Sequence, residues 1–156
     1  MLFNPKHQDH LERLANRLRV APALTSDLIT DVVANACTRI PVLSKAGKSV
    51  RINQLIAAGA WSDAALALIE LELPAWKLRR LLYEDSEWLC SLSREPKLPL
   101  ALDDTADARH EVLPLALLSA FVEARRRTGD VRETSSSTVP SVRLTPGLVV
   151  CCDNFV

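Results

Sequence analysis

The chain of 156 residues is electrically balanced, with 19 lysines and arginines against 19 aspartates and glutamates. A neutral chain has no overall field that draws it to nucleic acid or to a membrane, so such a partner would need a local patch of charge. Apolar residues make up 48% of the chain, and at this length that content predicts one domain with a real hydrophobic core.

The sequence offers no sign of a membrane or an oxidising compartment. No apolar run reaches the roughly eighteen residues that a membrane span requires. The first residues lack the basic and then apolar order of a secretory signal, and the four cysteines (Cys37, Cys90, Cys151 and Cys152) have no CxxC spacing. We therefore expect a cytoplasmic protein with reduced thiols.

Four helices are predicted in the first half of the chain from apolar residues at helical spacing. Their predicted starts are Asn4-Pro5, Thr25 or Ser26, Ser49 and Ser62, and their predicted ends are Pro22, Pro41, Gly59 and Pro74. The segment from Ile69 to Leu73 also alternates like a strand, but its Leu and Glu content favours the fourth helix.

The loop between the second and third helices contains Ala46-Gly-Lys-Ser49, which is similar to the end of a phosphate-binding loop. That motif needs an earlier glycine where Val42 stands, and it needs a preceding strand. We interpret the segment as a polar loop followed by a helix cap. Lys45, Lys48 and Arg51 at this helix start would hold an anion only weakly.

An antiparallel β-hairpin is predicted between Trp76 and Arg94, with the turn near Glu84 to Glu87. A loop of odd length, with Asp85-Ser86-Glu87 at its tip, places the apolar side chains on one face (Leu78, Leu82, Trp88, Cys90 and Leu92). A two-residue turn would split them between two faces, so we expect the odd loop. Arg80 is the charged exception on the buried face, where it snorkels or pairs with a carboxylate.

The last helix is predicted to begin near His110-Glu111, because Pro114 is tolerated only in a first turn. Its apolar stripe is broad, which predicts packing on two sides (Leu115, Leu117, Leu118, Phe121, Val122 and Ala124). The predicted fold is thus α+β: N-terminal helices, one antiparallel hairpin and a long C-terminal helix. It forms a single domain over residues 5–127, and residues 128–156 form a polar linker and a weakly ordered, β-prone tail.

The leading functional hypothesis is a non-catalytic protein-interaction or regulatory module, with a protein partner or a homo-oligomer. The candidate contact surface combines aromatic and cationic side chains of the hairpin (Trp76, Lys77, Arg79, Tyr83 and Arg94). If the first strand is regular from its start, Trp76 joins the buried face and the surface rests on Arg79 and Tyr83.

Two alternatives stay open. The basic hairpin face would make a weak nucleic-acid-binding surface, although Glu84, Asp85 and Glu87 stand beside its aromatic residues. The segment from Asp103 to Glu111 would bind a divalent cation if a helix brought its acidic and histidine side chains together (Asp103, Asp104, Asp107, His110 and Glu111). Acidic residues before a helix also simply complement its dipole. No motif assigns a catalytic residue or a cofactor.

Three segments carry a resemblance to other proteins. They are the run from Ala75 to Tyr83, then Trp88-Leu-Cys-Ser-Leu-Ser93, and His110-Glu-Val-Leu-Pro-Leu115. Together they resemble uncharacterised small proteins predicted in rhizobial alphaproteobacteria. The resemblance covers about residues 8–127 and implies a bacterial cytoplasmic protein, but it implies no activity, cofactor or catalytic residue.

Overall fold

The computed structural model describes residues 5–42 and 47–134. Within these ranges, helices and strands follow one another in the order α1 (Pro5–Val20), α2 (Ser26–Ala36), α3 (Arg39–Val42), α4 (Gly47–Ala57), α5 (Trp61–Glu72), β1 (Lys77–Glu84), β2 (Glu87–Ser93), a 3₁₀ turn (Leu100–Leu102), β3 (Ala106–His110) and α6 (Leu113–Thr134). The α+β class predicted from the sequence is confirmed. Of the predicted linker and tail, residues 128–134 belong to α6, and residues 135–156 lie outside the described residues, as does Lys45.

The long helix α6 is the centre of the fold. It packs against β2 and β3 on one side and against α1, α2 and α5 on the other. The side chains predicted for its apolar stripe are all buried, as are two further alanines (Leu115, Ala116, Leu117, Leu118, Ala120, Phe121, Val122 and Ala124). The packing on two sides predicted for this helix is therefore confirmed, and both sides contact other parts of the same chain. The helix begins at Leu113, with Pro114 in its first turn, and continues past Arg127 to Thr134.

The N-terminal helices form where the apolar spacing predicts them, with three differences at their ends. The helix α5 begins at Trp61 with Ala60 as its N-cap, so Ser62 lies inside it and does not cap it. The second helix ends at Ala36 rather than Pro41, because Cys37 is extended (φ −101°, ψ 131°) and the short α3 follows. Ser49 lies inside α4 and does not cap it. As predicted, Gly59 closes that helix with a positive φ of 71°, which glycine adopts without strain.

The sheet has three antiparallel strands in the order β1-β2-β3, so the predicted hairpin is extended by a third strand. The turn between β1 and β2 has two residues, Asp85 and Ser86, because Glu84 pairs with Glu87. Both turn residues have positive φ, 53° and 65°, the geometry that follows the natural twist of a hairpin. The predicted odd-length loop is wrong.

This register divides the apolar residues of the hairpin between two faces. Trp88, Cys90 and Leu92 share the face toward α6 with Leu81 and Tyr83. The other face, here called the outer face, carries Leu82 beside Leu89, and Arg80 beside Ser91. The burial predicted for Leu82 with the first group is thus also wrong, because one residue of register moves a side chain to the opposite face.

A β-bulge interrupts β1 between Leu78 and Arg80, where Leu78 pairs with Leu92 and Arg80 with Ser91. Arg79 is therefore the extra residue of the strand. A bulged residue leaves the regular alternation of side chains, which lets the strand aim it in a new direction. Arg79 uses this freedom to reach the segment that joins β2 to β3.

Candidate functional site

Trp76, the largest member of the predicted contact surface, lies inside the protein. Only 2% of it is exposed, and its Nε1–H donates to Thr128 Oγ1 at 3.2 Å. The guanidinium of Arg94 lies over the Trp76 ring, 5.0 Å from the ring centroid. Trp76 thus joins β1 to α6 and offers no surface to a partner, which removes it from the predicted patch.

Arg79 is committed to an internal ion pair. Its guanidinium pairs with Asp103, and the two side chains are only 15% and 2% exposed. It also donates to the backbone carbonyl of Leu98 at 2.7 Å. These contacts hold the connection between β2 and β3 in place, so the charge of Arg79 stabilises the fold.

Lys77 and Tyr83 are the exposed members of the predicted surface. Tyr83 is 58% exposed and contacts Trp88, with ring centroids 5.0 Å apart and ring planes inclined by 51°. The two residues lie near opposite ends of β1, about 20 Å apart at the usual rise of a strand. The five predicted residues therefore do not form one continuous patch.

The acidic segment proposed for a metal is extended rather than helical from Ala106 onward, so its side chains point in alternate directions. Asp103 pairs with Arg79, Asp104 pairs with Arg127, and Asp107 accepts a hydrogen bond from the Ser91 hydroxyl. His110 Nδ1 accepts from the backbone N–H of Val112 at 2.9 Å. Across the described part of the chain, no three His, Cys, Asp or Glu side chains are grouped as a metal ion requires.

An open groove of about 660 Å³ lies on the outer face of the sheet. Below it run two rows of residues in register across the three strands, and all of them except the fully buried Ser91 line the groove. The first row is polar, Arg80–Ser91–Asp107, and the second is Leu82–Leu89–Arg109. Arg80 Nη2 donates to Ser91 Oγ at 3.4 Å, and that hydroxyl donates to Asp107. The side chain of Arg80 is therefore linked to the Asp107 carboxylate only through the Ser91 hydroxyl.

The groove continues over β3 into a second part of about 330 Å³ between α1 and α6. The two parts have Arg19, Asp107, Ala108 and Arg109 in common. We call the whole feature the β3 groove. Its charged lining is four arginines and four acids (Arg19, Arg80, Arg109, Arg126, Glu12, Glu84, Asp107 and Glu123).

Three buried polar groups in the lining of the β3 groove have no hydrogen-bond partner: Arg80 Nε, Ser119 Oγ and Arg126 Nε. The Arg109 guanidinium, which is exposed and so is not one of these buried groups, has no acceptor within residues 5–42 and 47–134 either. Buried donors are almost always paired in native proteins, because an unpaired one costs about 1–3 kcal/mol. Of the five buried side-chain groups without a partner in the described residues, three line this one groove, and a bound ligand would explain them.

The acids of the groove are not equally available to these arginines. Asp107 holds Ser91, and Glu123 pairs with Arg126 at 3.3 Å and with Arg127 at 3.1 Å. Glu84 lines only the part over the sheet, and Glu12 lines only the part between the helices. The middle of the groove, where Arg19, Asp107 and Arg109 line both parts, therefore carries two arginines against one carboxylate.

The two cysteines in the described residues, Cys37 and Cys90, are buried thiols. Burial raises the pKa of each to about 12; the nearby Glu72 adds to the rise at Cys37, where Arg125 opposes it, and Asp107 adds to it at Cys90. A thiol is a nucleophile only as its thiolate. Both groups therefore act as small core residues near neutral pH.

Sequence reasoning missed the β3 groove because its lining comes from α1, all three strands and α6, which are far apart along the chain. One signal was visible, namely the charged Arg80 at a hairpin position predicted to be buried. A scan of protein-family models, a search of curated proteins and a search of solved structures each find no match to this chain. Among the described residues, no helix combines the length and the apolar character needed to cross a bilayer.

Proposed function

We propose that this protein is a non-catalytic protein-interaction module whose partner binds in the β3 groove. The observation that supports the proposal is the set of buried, unpartnered groups at Arg80, Ser119 and Arg126. A partner chain that supplies acceptors there, with the arginine and serine side chains turning to meet them, recovers the hydrogen bonds that the protein alone leaves unmade.

The chemistry of the groove suits a protein partner. Leu82 and Leu89 give it an apolar floor, while arginine and serine side chains provide donors around that floor. Interfaces between proteins combine apolar contact with hydrogen bonding in this way, and arginine is enriched in them. The groove also runs along β3, whose second edge pairs with no other strand among the described residues. A free strand edge offers backbone groups to an extended peptide.

The same groove suits a nucleic acid poorly. A polyanion gains affinity from many cations, and its affinity falls where carboxylates line the same path. Glu12 and Glu84 are exposed at the two parts of the groove. On the hairpin, Arg79 and Arg94 are engaged by Asp103 and Trp76. We therefore favour a protein partner over the nucleic-acid alternative.

A photo-crosslinking amino acid placed at Leu82 tests this proposal, and Leu66 on α5 is the matched control. The two leucines are 40% and 39% exposed, but only Leu82 lines the groove. In the cells that naturally make the protein, we expect irradiation to give a covalent protein adduct from position 82 and little or none from position 66. Mass spectrometry of the adduct identifies the partner.

The proposal is wrong if position 82 gives no adduct, or if both positions give the same adducts in equal yield. Thermal unfolding of both variants checks that each remains folded, since both substitutions replace partly exposed leucines on regular elements.

A further inference from the structure

We infer that the β3 groove selects an acidic, extended peptide segment, with carboxylates seated at Arg80 and Arg126 and an apolar side chain on Leu82 and Leu89. This inference rests on the proposed function and names the chemistry of its partner. It starts from the two arginines whose Nε–H groups are buried without an acceptor.

The positions of these two arginines call for a ligand with more than one anionic group. Arg80 lines only the part over the sheet, and Arg126 lines only the part between α1 and α6. A single small anion would reach one of them and leave the Nε–H group of the other without an acceptor. A guanidinium presents a planar fork of donors that matches a carboxylate. A chain that carries two carboxylates therefore satisfies both arginines at once.

The second row of the outer face favours a ligand that carries an apolar side chain next to its carboxylates. Leu82, Leu89 and Arg109 lie in register across the three strands, next to the row that contains Arg80. A side chain that contacts the two leucines removes the exposed surface of Leu82 from water, which is favourable at about 25 cal/mol per Å². The expected segment thus alternates acidic and apolar residues.

The acids of the groove limit how much negative charge the ligand carries. Glu12 and Glu84 would repel an acidic run that extends beyond the arginines. A carboxylate carries one charge and matches one arginine, whereas a phosphate brings nearly two. We therefore assign the bound oxyanions to aspartate or glutamate side chains rather than to phosphorylated ones.

A titration of the full chain, followed by NMR of the arginine Nε–Hε groups, tests this inference. The probe is a short capped peptide of alternating Glu and Leu, compared with the same peptide carrying Gln or phosphoserine in place of Glu. We expect the Glu peptide to shift the Nε–Hε signals of Arg80 and Arg126, with no shift at the exposed Arg13 of α1. The Gln peptide should bind about tenfold more weakly, the effect of losing charge-assisted hydrogen bonds.

Single substitutions then locate the site. Arg80→Gln and, independently, the exposed Arg109→Gln should each weaken binding of the Glu peptide about tenfold, while Arg13→Gln leaves it unchanged. Equal affinity for the Glu and Gln peptides, or an equal shift at Arg13, would overturn the inference. Tighter binding of the phosphoserine peptide would overturn the assignment to carboxylates. If position 82 gives a protein adduct but the chain binds the Glu and Gln peptides equally, the inference of an acidic ligand is refuted. The proposed protein-interaction function would then still stand.

Discussion

Replacing Arg79 with alanine is expected to lower the free energy of unfolding by about 3–5 kcal/mol, the cost of removing one partner from a buried ion pair. Asp103 would lose its cationic partner in a position where its side chain is only 2% exposed. The carbonyl of Leu98 would lose its donor as well. Urea denaturation of the wild-type and variant chains measures this difference, with the same slope of unfolding free energy against urea concentration used for both.

Two further variants show whether the ion pair is the cause. Lys77→Ala removes an exposed cation from the same strand and should change stability by less than about 0.5 kcal/mol. The double variant Arg79→Ala/Asp103→Ala removes both charges and should be more stable than Arg79→Ala alone, because no unpaired carboxylate remains. Arg79→Ala with unchanged stability and lost partner binding would instead make Arg79 the contact residue first suggested by the sequence.

The second large effect is expected at Glu72, the last residue of α5, which is 3% exposed. Its carboxylate accepts the backbone N–H groups of Thr38, Arg39 and Ile40 at 2.8–2.9 Å, and so caps the short α3. Glu72→Ala would leave these donors without an acceptor. We expect a loss of about 3 kcal/mol, the size associated with hydrogen bonds to a buried charged group and the unpaired donors left behind.

Glu70→Ala is the matched control, since Glu70 lies two residues earlier on the same helix and is exposed. It should cost less than about 0.5 kcal/mol. Glu72→Gln keeps one acceptor oxygen and should fall between the two. Equal unfolding midpoints for Glu72→Ala and Glu70→Ala would show that the carboxylate does not hold α3 in place.

The sequence predicts the helices well because their apolar spacing is a local signal. Leu11, Leu14 and Leu18 of α1 follow that spacing, and all three are buried. The broad stripe of α6 likewise predicts a helix packed on two sides. In the structure this breadth joins the sheet to the other helices.

The sheet is less visible from sequence because its register depends on contacts beyond the hairpin. A two-residue turn splits the apolar side chains between faces, and this is acceptable because Leu89 is buried even on the outer face. The strand β3 reads Ala-Asp-Ala-Arg-His and contains no β-branched residue. Its strand form comes from pairing with β2, which local propensity does not reveal.

The candidate site is the least predictable part for the same reason. Arg19, Arg80 and Arg126 belong to α1, β1 and α6, and only the packing of these elements brings them to one groove. The predicted site instead followed residues that are adjacent in sequence. That segment contains Trp76 and Arg79, whose distinctive chemistry serves packing and an internal ion pair.

The most direct test of the account is the yield of the Leu82 adduct in two further backgrounds. We expect Arg80→Gln/Arg109→Gln to lower the yield at least about tenfold, as is usual when central arginines are lost from an interface. We expect Lys77→Gln/Tyr83→Ala, on the exposed hairpin residues, to leave the yield unchanged. The reverse result, with the adduct lost only when Lys77 and Tyr83 are replaced, would contradict the assignment of the contact surface to the β3 groove.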